Sequence, residues 1–266
     1  KKILDSLNIS WEEHIHSHKN LAWADFIVIS PGVSSEIKLI ESAKKLGIPI
    51  ISEIEFASRF TDGKIIAITG TNGKTTTSTL LYHILKNANF DVRLCGNIGI
   101  SFSEILVTNP GSIYVVEVSS FQLENISKFK PNISILLNLS PDHLDRYGKQ
   151  ESQYYDTKML IQSNQDKKDS FIFFQEDDNI KMRLKKNNSQ KLYPFGKSVA
   201  EETNVAWIDN NQLIIKNNKN FFTMLLHEMA LQGKHNVYNS MAAGIAAKIL
   251  GVTDDILRQS LTNFRG

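Results

Sequence analysis

An α/β fold with a mostly parallel central sheet is predicted by three observations. Short apolar runs recur along the chain, stretches of helical spacing separate them, and glycine-bearing turns join the two. Runs that are apolar throughout, rather than alternating, suit strands covered on both faces. At 266 residues the chain is long enough for one large domain or two of ordinary size.

The elements follow in order. Asp25-Phe26-Ile27-Val28-Ile29, the turn Ser30-Pro31-Gly32, a helical pattern from Ile37 to Leu46 and Ile48-Pro49-Ile50-Ile51 form a βαβ unit. This opening unit is Rossmann-like. Glu53 to Phe60 reads as a short helix leading to Asp62-Gly63, a turn and domain boundary. Lys64 to Ile68 is a strand, Thr76 to Asn87 an amphipathic helix, and Asp91 to Leu94 the next strand. Further strands are expected at Ser112 to Val118 and Ile133 to Leu139. From Phe171 to Leu226 the character changes. Strands such as Phe171 to Phe174 and Gln212 to Ile215 lie between Asn- and Lys-rich turns, which predicts an antiparallel extension of the sheet. Asn236 to Leu250 and Asp254 to Leu261 close the pattern as a helical pair. No internal repeat is present.

Gly70-Thr71-Asn72-Gly73-Lys74-Thr75, between a strand and a helix, is the most informative stretch. It predicts a phosphate-binding loop, and with it a P-loop mononucleotide-binding domain. The turn and the helix N-terminus aim amide N–H groups at an anion, Lys74 adds a point charge, and the Thr75 hydroxyl suits the magnesium that travels with ATP. The general Gly-x4-Gly-Lys-Ser/Thr signature would put a glycine where Ile68 stands. That departure points away from ordinary kinase or GTPase loops and towards the form used by ATP-dependent ligases.

Glu117, in Val115-Val116-Glu117-Val118-Ser119-Ser120-Phe121-Gln122, stands at the C-terminal end of a strand, where open parallel sheets bind ligands. It is a candidate magnesium ligand alongside Thr75. Ser119 and Gln122 read equally as substrate contacts or as a helix capping box. Asn138-Leu139-Ser140-Pro141-Asp142-His143-Leu144-Asp145-Arg146-Tyr147 follows another strand, and His143 is a candidate ligand for a second metal. Ser140 as N-cap with Pro141 at N1 accounts for part of that motif. By spacing alone Lys158 is a solvated helix lysine. Asn236 and Asn239, after Lys234-His235, stand at a helix start, where Asn caps. His14, His16 and His18 alternate as ligands on one strand face would, but three exposed histidines on a loop are the commoner arrangement.

Net charge is +2 with both signs interspersed, which gives no nucleic-acid groove and no membrane-surface patch. No apolar run is long enough to span a bilayer, and no signal-peptide core follows Lys1-Lys2, so a cytoplasmic protein is expected. The single cysteine, Cys95, excludes an internal disulfide and is expected to serve packing. The absence of an initiating Met, and an end at Phe264-Arg265-Gly266 where a linker would stand, suggest a fragment at both ends.

Four motifs in order, Gly70 to Thr75, Glu117 to Glu124, Asp142 to Tyr147 and His235 to Asn239, resemble the Mur ligase family. Ser119-Ser120-Phe121-Gln122-Leu123-Glu124 and Asp142 to Tyr147 look most like the branch that adds D-glutamate. Asp25 to Gly32 resembles the second half of the family's UDP-binding domain. The resemblance implies a partial UDP-substrate-binding domain at 1–60, an ATP-binding central domain at 61–264 and the start of a linker at 265–266. A C-terminal domain that binds the amino acid would lie beyond it.

The implied activity is ATP-dependent amide formation between a UDP-linked muramoyl substrate and an amino acid, in cytoplasmic peptidoglycan precursor synthesis. It implies ATP and two magnesium ions, with Gly70, Thr71, Asn72, Gly73, Lys74, Thr75, Thr76, Asn236 and Asn239 near the nucleotide. Thr75, Glu117, His143 and a carbamylated Lys158 would serve the metals, and Lys74, His143 and Lys158 the catalysis. Ser30, Pro31, Gly32, Asn97, Ser119 and Gln122 would meet the UDP-linked substrate. No nucleic-acid or membrane partner is implied, a monomer is expected, and the fragment alone should ligate poorly. The alternatives are another amino-acid ligase of this architecture, such as the folylpolyglutamate type, or a P-loop switch that binds nucleotide without ligation.

Overall fold

The computed structural model of the chain describes residues 2–33, 37–142, 147, 150–184, 189–198 and 204–265. Helix α1 (Lys2–Ser6) and a 3-10 turn (His18–Ala22) precede β1 (Ile27–Ile29), α2 (Lys38–Lys45) and β2 (Ile50–Ser52). Strands β1 and β2 pair in parallel as a sheet of their own, which is the predicted βαβ unit. Helix α3 (Glu53–Ser58) follows at once, capped by the Ser52 side chain, which accepts from the Glu55 amide.

The larger body contains β3 (Lys64–Thr69), α4 (Lys74–Asn87), β4 (Val92–Gly96), α5 (Phe102–Thr108), β5 (Ile113–Glu117), α6 (Ser120–Leu123) and β6 (Ile133–Leu136). It continues through α7 (Glu151–Met159), β7 (Ser170–Phe174), α8 (Asp178–Arg183), β8 (Lys191–Phe195), β9 (Asn204–Asp209), β10 (Gln212–Asn217) and β11 (Asn220–Leu225), and ends with α9 (Lys234–Ile249) and α10 (Asp254–Asn263). One nine-stranded sheet runs in the order β11-β10-β9-β8-β7-β6-β3-β5-β4.

Alternation within the apolar strands explains how both faces are covered. Ile66 and Ile68 of β3, with Ile113 and Val115 of β5, join the core beneath α4, α9 and α10. Ile65, Ala67, Tyr114 and Val116 point the other way, into the core shared with α3, α5 and α7. Each fully buried Ile or Leu contributes about 1.5–3 kcal/mol, so neither face is dispensable. Cys95 is buried in the second core, where burial pushes its thiol up to about 12, consistent with a packing role.

The sheet corrects one expectation. The extension from Phe171 is not antiparallel from its start, because β7 pairs in parallel with β6, and β8 with β7. Only β10 and β11 bring antiparallel ladders, beginning at the β9–β10 pair. The reason is α8, a six-residue crossover that the sequence reading did not contain. Asp177 caps it by accepting from the Asn179 and Ile180 amides, and its buried Ile180 fastens it to the core. A parallel neighbour requires such a crossover.

Because β3 to β8 are parallel, their C-terminal ends lie on one edge of the sheet. Strand order reverses at β3, flanked by β5 and β6, and ligands of open α/β sheets bind at that point.

Candidate active site

The loop after β3 is fastened to the loop after β6 before it reaches α4. Thr71 donates its amide to the Asn138 carbonyl at 3.0 Å and its hydroxyl to the Ser140 carbonyl at 3.1 Å, while the Ser140 amide donates back to Thr71 Oγ1 at 3.0 Å. Asn138 grips the next residue at both ends. Its Oδ1 accepts from the Asn72 amide at 2.9 Å, and its Nδ2 donates to the Asn72 carbonyl at 3.0 Å. Ser140 therefore caps no helix at Pro141; Pro141 and Asp142 are non-helical.

Gly73 is the N-cap of α4, with φ of +84° and no side-chain cap, which leaves the first-turn amides of α4 available to an anion. A methyl group there would collide with Asn239 Oδ1 on α9. Gly73→Ala is expected to combine that collision with about 2 kcal/mol of left-handed backbone strain. Nucleotide affinity should fall on the order of thirtyfold, read by titration with a fluorescent ADP analogue. An unchanged affinity would show that this turn does not shape the nucleotide site.

Lys74 Nζ donates to the Gly70 carbonyl at 2.9 Å and the Thr71 carbonyl at 2.8 Å, so its ammonium lies inside the curve of the loop. Burial pushes it below the ordinary lysine range, against the attraction of Glu117 and Asp142.

At the next residue, Thr75 Oγ1 donates to Glu117 Oε2 at 2.9 Å, and Asn97 Nδ2 donates to Glu117 Oε1 at 3.0 Å. Glu117 is 2% exposed. A hydroxyl and a carboxylate beside a phosphate-binding loop are hard oxygen donors, and magnesium takes few protein oxygens because it keeps phosphate and water. Among the described residues no group of three or more His, Cys, Asp and Glu side chains is arranged to hold a metal. Thr75 and Glu117 nevertheless fit a nucleotide-borne magnesium ion. Ser119 and Gln122 complete the capping box of α6: Ser119 Oγ accepts from the Gln122 amide, and Gln122 Oε1 from the Ser119 amide at 3.0 Å.

Lys158 overturns the solvated reading that spacing alone gave. It is 2% exposed on α7, donates to the Gly70 carbonyl at 3.0 Å, and stands over the Tyr154 ring at 4.7 Å. Lys74 and Lys158 thus share one carbonyl acceptor. Burial drives the Lys158 ammonium down to about 7, Lys74 adds to the shift, and Asp142 opposes it.

A cavity of about 550 Å³ opens beside the loop, lined by Asn72, Gly73 and Thr76, by Asn236 and Asn239 of α9, and by Phe174, Phe195 and Tyr238. Gly233, not Asn236, is the N-cap of α9; Asn236 lies in its first turn and donates to the Gln232 carbonyl at 3.0 Å. Sequence reasoning missed Asn138 as a loop clamp and Phe174, Phe195 and Tyr238 as cavity walls. An aromatic at the C-terminal end of a strand was the available signal for Phe174 and Phe195.

Other candidates lie elsewhere. His143 is outside the described residues. Ser30, Pro31 and Gly32 follow β1, outside the nine-stranded sheet, in a turn closed by the Val33 amide on the Ser30 carbonyl. His14 and His16 lie in an irregular segment and His18 begins a 3-10 turn, so the three share no strand face.

Comparison with known proteins adds an independent line. The profile of the Mur ligase middle domain matches residues 68–247. A UDP-N-acetylmuramoylalanine–D-glutamate ligase of Bacteroides thetaiotaomicron is 44% identical over the whole chain, and one of Thermoanaerobacter pseudethanolicus is 36% identical over 99% of it. The chain spans 60% and 58% of those relatives' lengths. Among solved structures, a UDP-N-acetylmuramate:L-alanyl-gamma-D-glutamyl-meso-diaminopimelate ligase from Neisseria meningitides aligns over 100% of this chain and 86% of its own, with a TM-score of 0.67 at 19% identity. A UDP-N-acetylmuramate-alanine ligase from Thermotoga maritima aligns over 100% and 60%, with a TM-score of 0.55 at 22% identity. Those two establish likeness of fold.

Proposed function

The chain belongs to the Mur ligase family, and on that premise we propose that it carries the ATP site of a ligase that adds D-glutamate to UDP-N-acetylmuramoyl-L-alanine, in cytoplasmic peptidoglycan precursor synthesis. One observation carries the reading. Lys74 and the buried Lys158 share the Gly70 carbonyl at the C-terminal edge of the parallel sheet, and the hydrogen-bonded Thr75–Glu117 pair stands at the start of α4 beside them.

In the proposed reaction the loop amides and Lys74 hold the terminal phosphates of ATP. A carboxylate oxygen of the muramoyl substrate attacks the γ-phosphorus, ADP leaves, and an acyl phosphate results. The D-glutamate amine attacks the acyl carbon, and phosphate departs from the tetrahedral intermediate. Thr75 and Glu117 would hold magnesium, which supplies charge neutralisation at the phosphates when bound. Asn97, bonded to Glu117, stands where the substrate's diphosphate is proposed to lie, with Ser30, Pro31, Gly32, Ser119 and Gln122 as further candidate contacts. Asn236 and Asn239 line the cavity proposed for the nucleoside. His143 and a carbamylated Lys158 would serve a second magnesium ion, which would add charge neutralisation at the substrate carboxylate. Among the described residues no helix is long and apolar enough to cross a membrane.

The test is phosphate release from ATP by the full-length protein, given UDP-N-acetylmuramoyl-L-alanine and a panel of amino acids. Stimulation by D-glutamate alone is expected. Stimulation by a diamino acid would move the protein to a sibling activity, and release indifferent to every amino acid would overturn the ligase reading in favour of a nucleotide switch.

A further inference from the structure

Glu55 is a carboxylate with no exposure, on α3 rather than on the phosphate-binding loop, and the reaction above does not use it. Its Oε2 accepts from three successive backbone amides, Ser127 at 3.0 Å, Lys128 at 2.9 Å and Phe129 at 2.6 Å. Its Oε1 accepts from Arg59 Nη2 at 2.8 Å and Nε at 3.2 Å. Burial pushes the Glu55 carboxyl up, but the Ser127, Lys128 and Phe129 amides and Arg59 outweigh it and hold the group below the ordinary carboxylate range.

Two further ties flank this one. The Ser52 amide, at the end of β2, donates to the Asn125 carbonyl at 2.8 Å. Glu53 accepts from the Ser103 amide at 2.5 Å. The three ties reach two segments of the larger body, and each lies just downstream of a candidate site residue. Ser103 lies in the first turn of α5, after Asn97; Asn125 to Phe129 follow α6, after Glu117, Ser119 and Gln122. All three donors of the amide triplet are main chain, so the Glu55 carboxylate fixes the position of the backbone at 127–129 and not merely of a side chain.

We propose that Glu55 is a positioning residue: through α3 it holds the β1–β2 unit in register with the segments bearing Asn97 and Glu117, and so sets where a substrate held by the β1 turn presents its carboxylate to the γ-phosphate. This rests on the proposed function, in which Ser30, Pro31 and Gly32 meet the UDP-linked substrate. In-line attack tolerates little misplacement, since a shift of about 1 Å costs on the order of a hundredfold in rate. The groups proposed to meet the nucleotide lie on the loop after β3, on α4 and on α9, and none of them is on α3.

The experiment uses the full-length protein and follows phosphate release with UDP-N-acetylmuramoyl-L-alanine and D-glutamate. Glu55→Ala is expected to lower kcat about 10- to 100-fold, with the KM for ATP within about threefold of wild type. Glu55→Gln retains one oxygen to accept the three amides and should recover most of that loss. Glu53→Ala removes the Ser103 tie from a half-buried position and should lower kcat several-fold, which answers the question even if Glu55→Ala does not fold. A folded Glu55→Ala, or a Glu53→Ala, with wild-type kcat would overturn the joint alone. Equal losses in kcat and ATP affinity would also overturn it, as they would mark general destabilisation. A wild-type protein inert to the muramoyl substrate would overturn the proposed function and the joint with it.

Discussion

Lys74→Ala is expected to abolish substrate-dependent phosphate release, with a loss of about 10²–10³-fold or more, the scale for removing one electrostatic stabiliser of a transition state. The ammonium is held by the Gly70 and Thr71 carbonyls inside the loop, at the N-terminus of α4, where negative charge develops if the γ-phosphoryl group is transferred. Stability should change by less than about 1 kcal/mol, because the side chain is only half-buried and alanine is a strong helix former. Binding of ADP should weaken far less than turnover, since the loop amides and the Thr75–Glu117 pair remain. Arginine is no substitute, because its planar fork cannot reproduce a point charge within the curve of the loop. Phosphate release and ADP binding, measured on the same full-length variant, check this. Release at the wild-type rate would remove Lys74 from the mechanism and leave the loop as a binding device.

What could be read from the chain, and what could not, divides along a physical line. The phosphate-binding loop carries a local signal: glycines, lysine and threonine at fixed spacing between a strand and a helix mark it, although Asn138 and Ser140 fasten it. Glu117 was legible for a related reason, since an acidic residue closing an apolar strand has few structural uses. Lys158 was not legible from spacing, because burial is a tertiary property. Nothing in Tyr154-Tyr155-Asp156-Thr157-Lys158 says that the lysine face of α7 turns towards Gly70, and only resemblance to the family drew attention to it. The parallel pairing of β7 and β8 was hidden similarly. A five-residue apolar strand does not encode its partner's direction; the crossover that decides it, α8, is too short to show a period and announces itself only through the Asp177 cap. Glu55 was concealed by exposed-looking spacing in Glu53-Ile54-Glu55, although its three amide partners make it among the most heavily bonded carboxylates described.

Lys158→Ala is expected to cost at least about 10²-fold in kcat, and addition of formate or acetate should restore part of it. The argument begins with a conflict in the site. Two lysines donate to the one Gly70 carbonyl, so two ammonium groups would be held close together in a buried setting. Such an arrangement favours loss of one charge, and Lys158, with the deeper burial, is the group driven down to about 7. The neutral amine is the form that adds to carbon dioxide; its nitrogen forms the new bond to carbon, a proton leaves for solvent, and the cation becomes a carbamate anion. If Lys158 is carbamylated as proposed, the like-charge conflict would become an attraction to Lys74, and the group would gain oxygens able to serve a metal. The sign with pH follows. Below about 7 the ammonium dominates and loading is slow; above it the neutral amine dominates and loading quickens, provided bicarbonate is present. Wild-type protein kept free of carbon dioxide should therefore lose activity and regain it on adding bicarbonate, faster at pH 8 than at pH 6. Lys158→Ala should ignore bicarbonate yet respond to short carboxylates, with chloride salts as the control for ionic strength. Rescue by neither would leave Lys158 as a packing residue, because a carboxylate-like function at that position is the one property formate and acetate share with a carbamate.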